Sequence, residues 1–487
     1  MGPVVQGVQG VGRGRHLADG RAHHESGIRT SKQTGGEAIS TELIDRYHEV
    51  LTPDVAEETH VHIESVLQRR GLTFGGRALC TVLRPRLTTP RELASLQGRI
   101  VPLMRAFKAA YARAIVDDAF RGQFGLLDWE ETLLGDTPRY EWQSPTSRLD
   151  FFYVPNTGQL GLTEYNGETP AGAGYTDALS EICLESPAMR EFSRHYDIMS
   201  LPCVPGVVGS ILASYREFSG TRAKPRIAIL DWDDVPTHSE FEIYQQHFAA
   251  MGLEAVIDDP RRCEYRNGKL WVKGQPADLI YKRVLISELV ETCGMEHDVV
   301  RAIRDGAVCL ANGFRSKILH KKASLAVLSD ESNADTFRPD ELEAIHDCIP
   351  WTRVVRERRT TVAGETVDLV PWMLDRKDEL VLKPNDEYGG KGITLGWTVN
   401  GSEWEAAVRD ALTQPFIVQK RVAIPTEAYP SWVDGRLHIL DRMLDTAPFI
   451  SHGLYMEGVL TRLSTSALLN VTAGGGSTIP GFVVQPR

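Results

Sequence analysis

Paired cysteines are missing from this sequence. Its seven cysteines, at 80, 183, 203, 263, 293, 309 and 348, are scattered, and no Cys-x-x-Cys occurs. That pattern disfavours a disulfide scaffold or a structural zinc site and fits a reducing compartment. Long apolar runs are missing too. The longest uncharged stretches are 198–215, broken by Pro202 and Pro205, and 463–486, rich in Gly, Ser and Thr. Neither is apolar enough to span a bilayer. No charged-then-apolar leader opens the chain, and Gln6 stands where myristoylation wants Ser or Thr. A cytoplasmic protein without membrane contact is the expectation. Positive charge is also in short supply. Lys plus Arg number 54 against 65 Asp plus Glu, a net −11, which leaves no overall field to draw a phosphodiester backbone. Nucleic acid is therefore not an expected partner. The familiar catalytic signatures are absent as well: no Gly-x-Gly-x-x-Gly after the first strand of a β-α-β unit, no Gly-Lys-Ser or Gly-Lys-Thr, no Gly-x-Ser-x-Gly and no His-x-x-x-His.

What is present suffices for several folded units. A chain of 487 residues, 42% hydrophobic and 24% charged, has the globular balance and the length of about three domains. Residues 1–40 hold nine glycines and no aromatic residue, so they offer little burial against the cost of ordering and are expected to be disordered. From Thr41 a helical stripe begins with Leu43, Ile44, Tyr47, Val50 and Leu51. Pro53 to Gly71 delimits a second helix, and Leu93, Leu96, Ile100, Leu103, Phe107 and Tyr111 mark a third; these stripes read as core packing. Residues 226–286 change period. A strand at 226–230, a helix headed by a Ser239–Glu242 capping box and a strand at 255–257 form a β-α-β unit. A hairpin at Asn267-Gly268 and a strand at 278–284 follow.

Two segments carry chemistry. In the run Leu380 to Gly396, an apolar strand delivers Lys383, a turn with Tyr388, Gly389, Gly390, Lys391 and Gly392 follows, and a second apolar strand returns. Glycines let backbone approach a phosphate chain, and bare turn amides form an anion nest that an ammonium complements. An ordinary glycine-rich hairpin is the plain alternative. The other segment pairs Arg148-x-Asp150 with Glu164-x-Asn166 across a turn at Asn156-Thr157-Gly158. Alternation puts each pair on one strand face. Should the strands pair, two carboxylates and an amide oxygen converge as hard ligands suited to magnesium; a solvated hairpin face is the alternative. Lys322, Gln419 and Arg462 are ambiguous alone.

Taken together these segments resemble the circularly permuted ATP-grasp proteins, and more narrowly the glutathionylspermidine synthetase-like group. The matching stretches are Arg148-x-Asp150, Glu164 to Pro170, Ser316 to Leu328, Lys383-Pro384 with the flap, and Ile417 to Arg421. The resemblance implies an α/β fold, a glutathione synthetase-like ATP-grasp in circularly permuted order, with a Rossmann-like preceding domain and N-terminal helices. The resemblance covers about residues 140–487 and divides them into a permuted metal-binding part (140–225), a Rossmann-like substrate domain (226–310) and the nucleotide-binding lobes (311–487), preceded by the disordered extension (1–40) and the helical region (41–139) read from composition and periodicity. It places ATP against Lys322, Lys383 and the Tyr388 to Gly392 flap, with Gln419, Lys420, Arg421 and Val422 as hinge for the base. Asp150, Glu164 and Asn166 would hold Mg²⁺, while Arg148 and Arg462 would serve catalysis. The implied activity is ADP-forming carboxylate–amine ligation, acting on a small-molecule or peptide carboxylate and an amine. A binding protein without turnover and a kinase on the same fold remain the competing readings. No Cys-dependent amidase half and no glutathione-binding segment are recognisable, so the resemblance does not name the substrates.

Overall fold

The computed structural model describes residues 34–74, 76–135, 138–155, 157–465 and 476–487. Three helices come first: Thr34–Val50, Pro53–Arg69 and Pro90–Val116. The last two follow their sequence signals. Thr52 Oγ1 accepts from the Val55 amide with Pro53 in the first turn, and Thr89 with Glu92 closes a capping box. The first helix starts at Thr34, so 34–40 are helical where an irregular segment was expected. Once Leu43 and Tyr47 are buried, extending that helix backward adds a hydrogen bond per residue without a new nucleus. Residues 1–33 lie outside the described residues.

Three sheets carry the rest of the architecture. The first is parallel, with strands in the order Cys309–Ala311, Leu279–Lys282, Ile227–Leu230 and Ala255–Asp258. The Asn267-Gly268 hairpin forms as expected, both residues having positive φ. One expectation fails here: the helix after the first strand, His238–Ala250, begins from Thr237, with no capping box. Ser239 lies inside its first turn and shares its hydroxyl with the Tyr175 hydroxyl at 2.9 Å, so it is not available to cap. The second sheet is antiparallel, with Thr352–Val354, Phe416–Lys420, Leu380–Pro384 and Thr394–Leu395 side by side. The third has nine strands. Its main path runs Thr426–Val433, Arg436–Leu444, Tyr455–Ser464, Ala447–Ser451, Thr146–Val154 and Gln159–Asn166, and Ser477–Pro486 branches from it to Arg86–Thr88 and Tyr196–Ser200. No helix among the described residues is long and apolar enough to cross a membrane, and all seven cysteines are unpaired.

The hairpin 146–166 is the part of this sheet that matters for the site. Its strands pair Arg148 with Asn166, Leu149 with Tyr165 and Asp150 with Glu164, and the register then slips by one residue before Phe151 pairs with Leu162. The extra residue, Thr163, donates its hydroxyl to the Asp150 carbonyl at 2.9 Å. This bulge resets the alternation. Leu162 and Tyr165 therefore both face the core, where Tyr165 meets Phe107 of the third helix with ring centroids 4.6 Å apart. Glu164 turns to the same side as Asp150.

The opposite end of the same sheet anchors the N-terminal helices. Arg84 Nη2 and Arg86 Nη1 reach the two oxygens of Glu427 at 2.5 and 2.9 Å, and Arg84 also stacks 4.1 Å over Tyr429. Burial pushes the Glu427 carboxyl up, but Arg86 and Arg84 overcome it and hold the group at about 2 instead of 4.5. A folded value below the ordinary one contributes stability that is complete above about pH 4.5 and lost as pH falls towards 2. The contribution is on the order of 3 kcal/mol. Thermal unfolding between about pH 6 and about pH 2.5 should show this loss in the wild type and a flatter profile in Glu427→Gln; parallel profiles would exclude the pair as a source of acid lability.

Candidate active site

A cleft opens where the hairpin 146–166 faces the sheet that carries Lys383. One end of the cleft is charged. Asp150, Glu164, Lys322, Lys383, Asp445 and Arg462 all line it. Lys383 reaches it because alternation along Leu380–Pro384 buries Leu380 and Leu382 in the core. Its ammonium donates to the Thr163 carbonyl at 2.9 Å and to Gln419 Oε1 at 2.7 Å. Lys322 stands at the head of the helix Ala323–Ser329. Its ammonium pairs with Glu164 Oε1 at 2.8 Å and donates to the Glu387 carbonyl at 2.5 Å.

Two of the three carboxylates are lowered by the cations that face them. Asp150 receives Arg148 Nε at 2.7 Å on Oδ1, and Arg148 Nη2 at 3.0 Å and Arg462 Nη2 at 2.7 Å on Oδ2. Burial raises the Asp150 carboxyl, and these two guanidiniums overcome it and hold it well below the usual range. Glu164 is likewise lowered by Lys322 against the effect of its burial. Asp445 goes the other way: burial raises it, and Arg462 offsets only part of the effect. Burial also lowers the Lys383 ammonium to about 8, which makes it a group that gains from an arriving anion.

The flap follows directly from the Lys383 strand. Gly389, Gly390 and Gly392 take φ of 65°, 79° and 67°, and a Cβ on Gly392 would lie 2.7 Å from Pro384 Cγ. Only glycine fits a turn folded so closely on its own stem. Lys391 is exposed, with its ammonium 4.6 Å over the Tyr388 ring. Tyr388 points away from the strand, its hydroxyl donating to Glu288 Oε1 at 3.0 Å in the helix Ile286–Cys293 beside the parallel sheet. The flap therefore bridges two parts of the molecule.

The other end of the cleft is apolar. Phe152, Val381, Leu395, Trp397, Val422 and Ile424 form its walls, a slot of the kind that takes a flat ring. Of the expected hinge residues, Lys420 and Val422 line the cleft. Arg421 stacks 4.1 Å from the centroid of Trp397, and its amide donates to the Glu379 carbonyl at 2.7 Å. Gln419 also lines the cleft but is tied down, donating to Thr352 Oγ1 at 2.9 Å while accepting from Lys383.

Tyr388, Lys391, Gly392 and Arg421 are not part of the lining, and neither are Arg148 and Asn166. Arg148 lies behind Asp150, with its remaining nitrogen donating to the Ala171 carbonyl, so all three of its guanidinium nitrogens are engaged. Asn166 follows Glu164 on the same strand face, and its buried amide nitrogen has no hydrogen-bond partner. Sequence reasoning missed Asp445. This residue links Arg462 into the site by accepting from its amide and from Nε, each at 2.6 Å. It lies between two strands, where no periodicity marks it. Only the distant pairing with Arg462 reveals it.

No family model matches the chain. A Frankia alni protein named "Putative glutamate–cysteine ligase 2-3" is 24% identical over 468 residues, 88% of this chain and 50% of the relative. An uncharacterized protein of Mycobacterium tuberculosis is 24% identical over 353 residues, 68% of this chain and 58% of its own. The chain thus spans little more than half the length of these curated relatives. Among solved structures, a glutathione synthetase-like effector from Globodera pallida in apo form superposes with a TM-score of 0.53 at 12% identity, covering 92% of this chain and 97% of that one. At that identity the likeness concerns architecture alone: the chain has a mixed α/β fold like that of this effector.

Proposed function

We propose that this chain is an ATP-dependent carboxylate–amine ligase that forms an amide through an acylphosphate and releases ADP and phosphate. The observation that carries the reading is the two-ended cleft. Lys322, Lys383 and Arg462 stand among Asp150, Glu164 and Asp445 at one end, with an apolar slot at the other. A triphosphate fits the first and a base the second. We also read the chain order as permuted, because the hairpin 146–166 precedes the sheet 426–486 that it joins through the pairing of Phe449 with Arg148. The relatives' names are in keeping with amino-acid or peptide-like substrates.

The donor set suits magnesium. Asp150 and Glu164 offer hard oxygens in the cleft, and Asn166, next but one to Glu164 on the same strand, would add its Oδ1. Among the described residues no group of three His, Cys, Asp or Glu side chains could hold a metal ion by itself. The protein then supplies only part of a coordination shell, as is usual for magnesium bound with phosphates and water. When bound, the ion would neutralise charge on the phosphates.

This chain's own residues would do the rest. Lys383 and Lys322 orient the phosphates, and the glycine flap covers them and excludes water. The substrate carboxylate oxygen attacks the γ-phosphorus, the bond to the β-γ bridging oxygen breaks, and ADP leaves. The amine then attacks the acyl carbon and expels phosphate, losing a proton as the amide forms. Arg462, the guanidinium that lines the cleft, stabilises charge on the transferred group in both steps. Arg148 holds Asp150 in place. Incubating the purified protein with Mg-ATP and pooled carboxylates and amines, with products identified by mass spectrometry, tests the reading. An amide together with ADP supports ligation, and a stable phosphorylated metabolite makes the protein a kinase. Binding of Mg-ATP without ADP release in any pool leaves a nucleotide-binding protein, and no binding at all ends the proposal.

A further inference from the structure

Beside the cleft lies a second set of charges that this reaction does not use. Glu168, just past the strand Gln159–Asn166, has a fully buried side chain. Its Oε1 accepts from Lys282 Nζ at 3.1 Å and from the Ile286 amide, while Lys317 Nζ lies 3.1 Å from Oε2. Lys317 also donates to both oxygens of Asp386, at 2.9 and 2.7 Å. Lys321 joins Asp386, at 3.0 Å, to Glu130, at 2.8 Å. His320 stands 3.8 Å from Glu168 and from Asp386. Burial lowers its pKa to about 4, so the imidazole is neutral. The ammoniums of Lys282, Lys317 and Lys321 are thus balanced by the carboxylates of Glu130, Glu168 and Asp386.

The segments carrying this network are also those that build the charged end of the cleft. Glu164 and Glu168 belong to one segment, Lys322 and the pair Lys317 and Lys321 to a second, and Lys383 and Asp386 to a third. Desolvating so many charges is a poor way to gain stability compared with apolar packing. Charge pairs supply direction instead, because each fixes one segment's register against the next.

We propose that Glu168 is a positioning residue: through Lys317 and Asp386 it sets the flap and the Lys322 helix in register with the Glu164 strand, so that both lysines and the flap amides meet the same phosphates. The inference rests on the nucleotide reading above. Its test is calorimetric titration of Mg-ATP into the full chain as wild type, Glu168→Gln, Glu168→Asp and Asp386→Asn, beside thermal midpoints and trypsin cleavage at Lys391. A weakening of Mg-ATP affinity by about tenfold or more in Glu168→Gln and Asp386→Asn is expected, with partial recovery in Glu168→Asp. Lys391 should stay cleavable in the two charge-removing variants at nucleotide levels that protect the wild type. Folded variants that bind within about twofold of wild type and protect Lys391 fully would overturn the proposal and leave a network that only stabilises. Asp386, 19% exposed, decides alone if Glu168→Gln does not fold. A wild type that fails to bind Mg-ATP removes the nucleotide reading itself, and the proposal with it.

Discussion

Replacing Arg462 with alanine should slow substrate-dependent ADP release by roughly a hundredfold to a thousandfold, the cost of removing one preorganised contact to developing charge, about 3 to 4 kcal/mol. The expectation follows from how this side chain is held. Its Nε and Nη2 fork grips Asp445 while Nη2 also reaches Asp150, so the guanidinium is fixed before any substrate arrives. Arg462→Lys keeps the charge and loses the fork. It should fall between wild type and alanine. Both variants leave Asp445 and Asp150 less compensated, so thermal midpoints must accompany the rates. Near-normal turnover by a folded Arg462→Ala would remove this residue from the mechanism. Arg148→Ala should also slow the reaction, through a displaced Asp150 and weaker magnesium dependence.

Lys383→Met should weaken Mg-ATP binding by about 3 kcal/mol, roughly a hundredfold, as expected when one partner of a buried charge pair is removed. The same lysine gives a pH signature. In the free protein burial lowers the ammonium to about 8, while a triphosphate favours its charged form. Binding therefore takes up protons above pH 8, and affinity declines as pH rises past that value. Lys383→Met should lose this dependence as well as the affinity. Calorimetry in buffers of different ionisation enthalpy reads both effects. An unchanged proton uptake in Lys383→Met would assign the titration to another group.

Much of this site was legible in the sequence because its parts are local. The flap shows itself as three glycines after a lysine-bearing strand, and the spacing of Arg148, Asp150, Glu164 and Asn166 survives the fold as a paired hairpin. The bulge at Thr163 was not legible, since a register slip leaves no trace in residue types. Asp445 and Glu288 were missed, and Glu168 stood in the Glu164 to Pro170 stretch without a role, for a related reason: each draws its meaning from a partner far along the chain. The failed capping box at Ser239 shows the limit of local rules from the other side. Its hydroxyl found Tyr175, a tertiary partner, and the helix took its start elsewhere.

The pairing of Arg148 with Phe449 also bears on how the molecule is made. As the chain leaves the ribosome, the hairpin bearing Asp150 and Glu164 emerges long before the strand that covers its edge. Until residues 447–451 are synthesised, that edge is an open template for misplaced strands. The site thus matures late in translation, and chaperone dependence should be greatest for nascent chains that end before this strand.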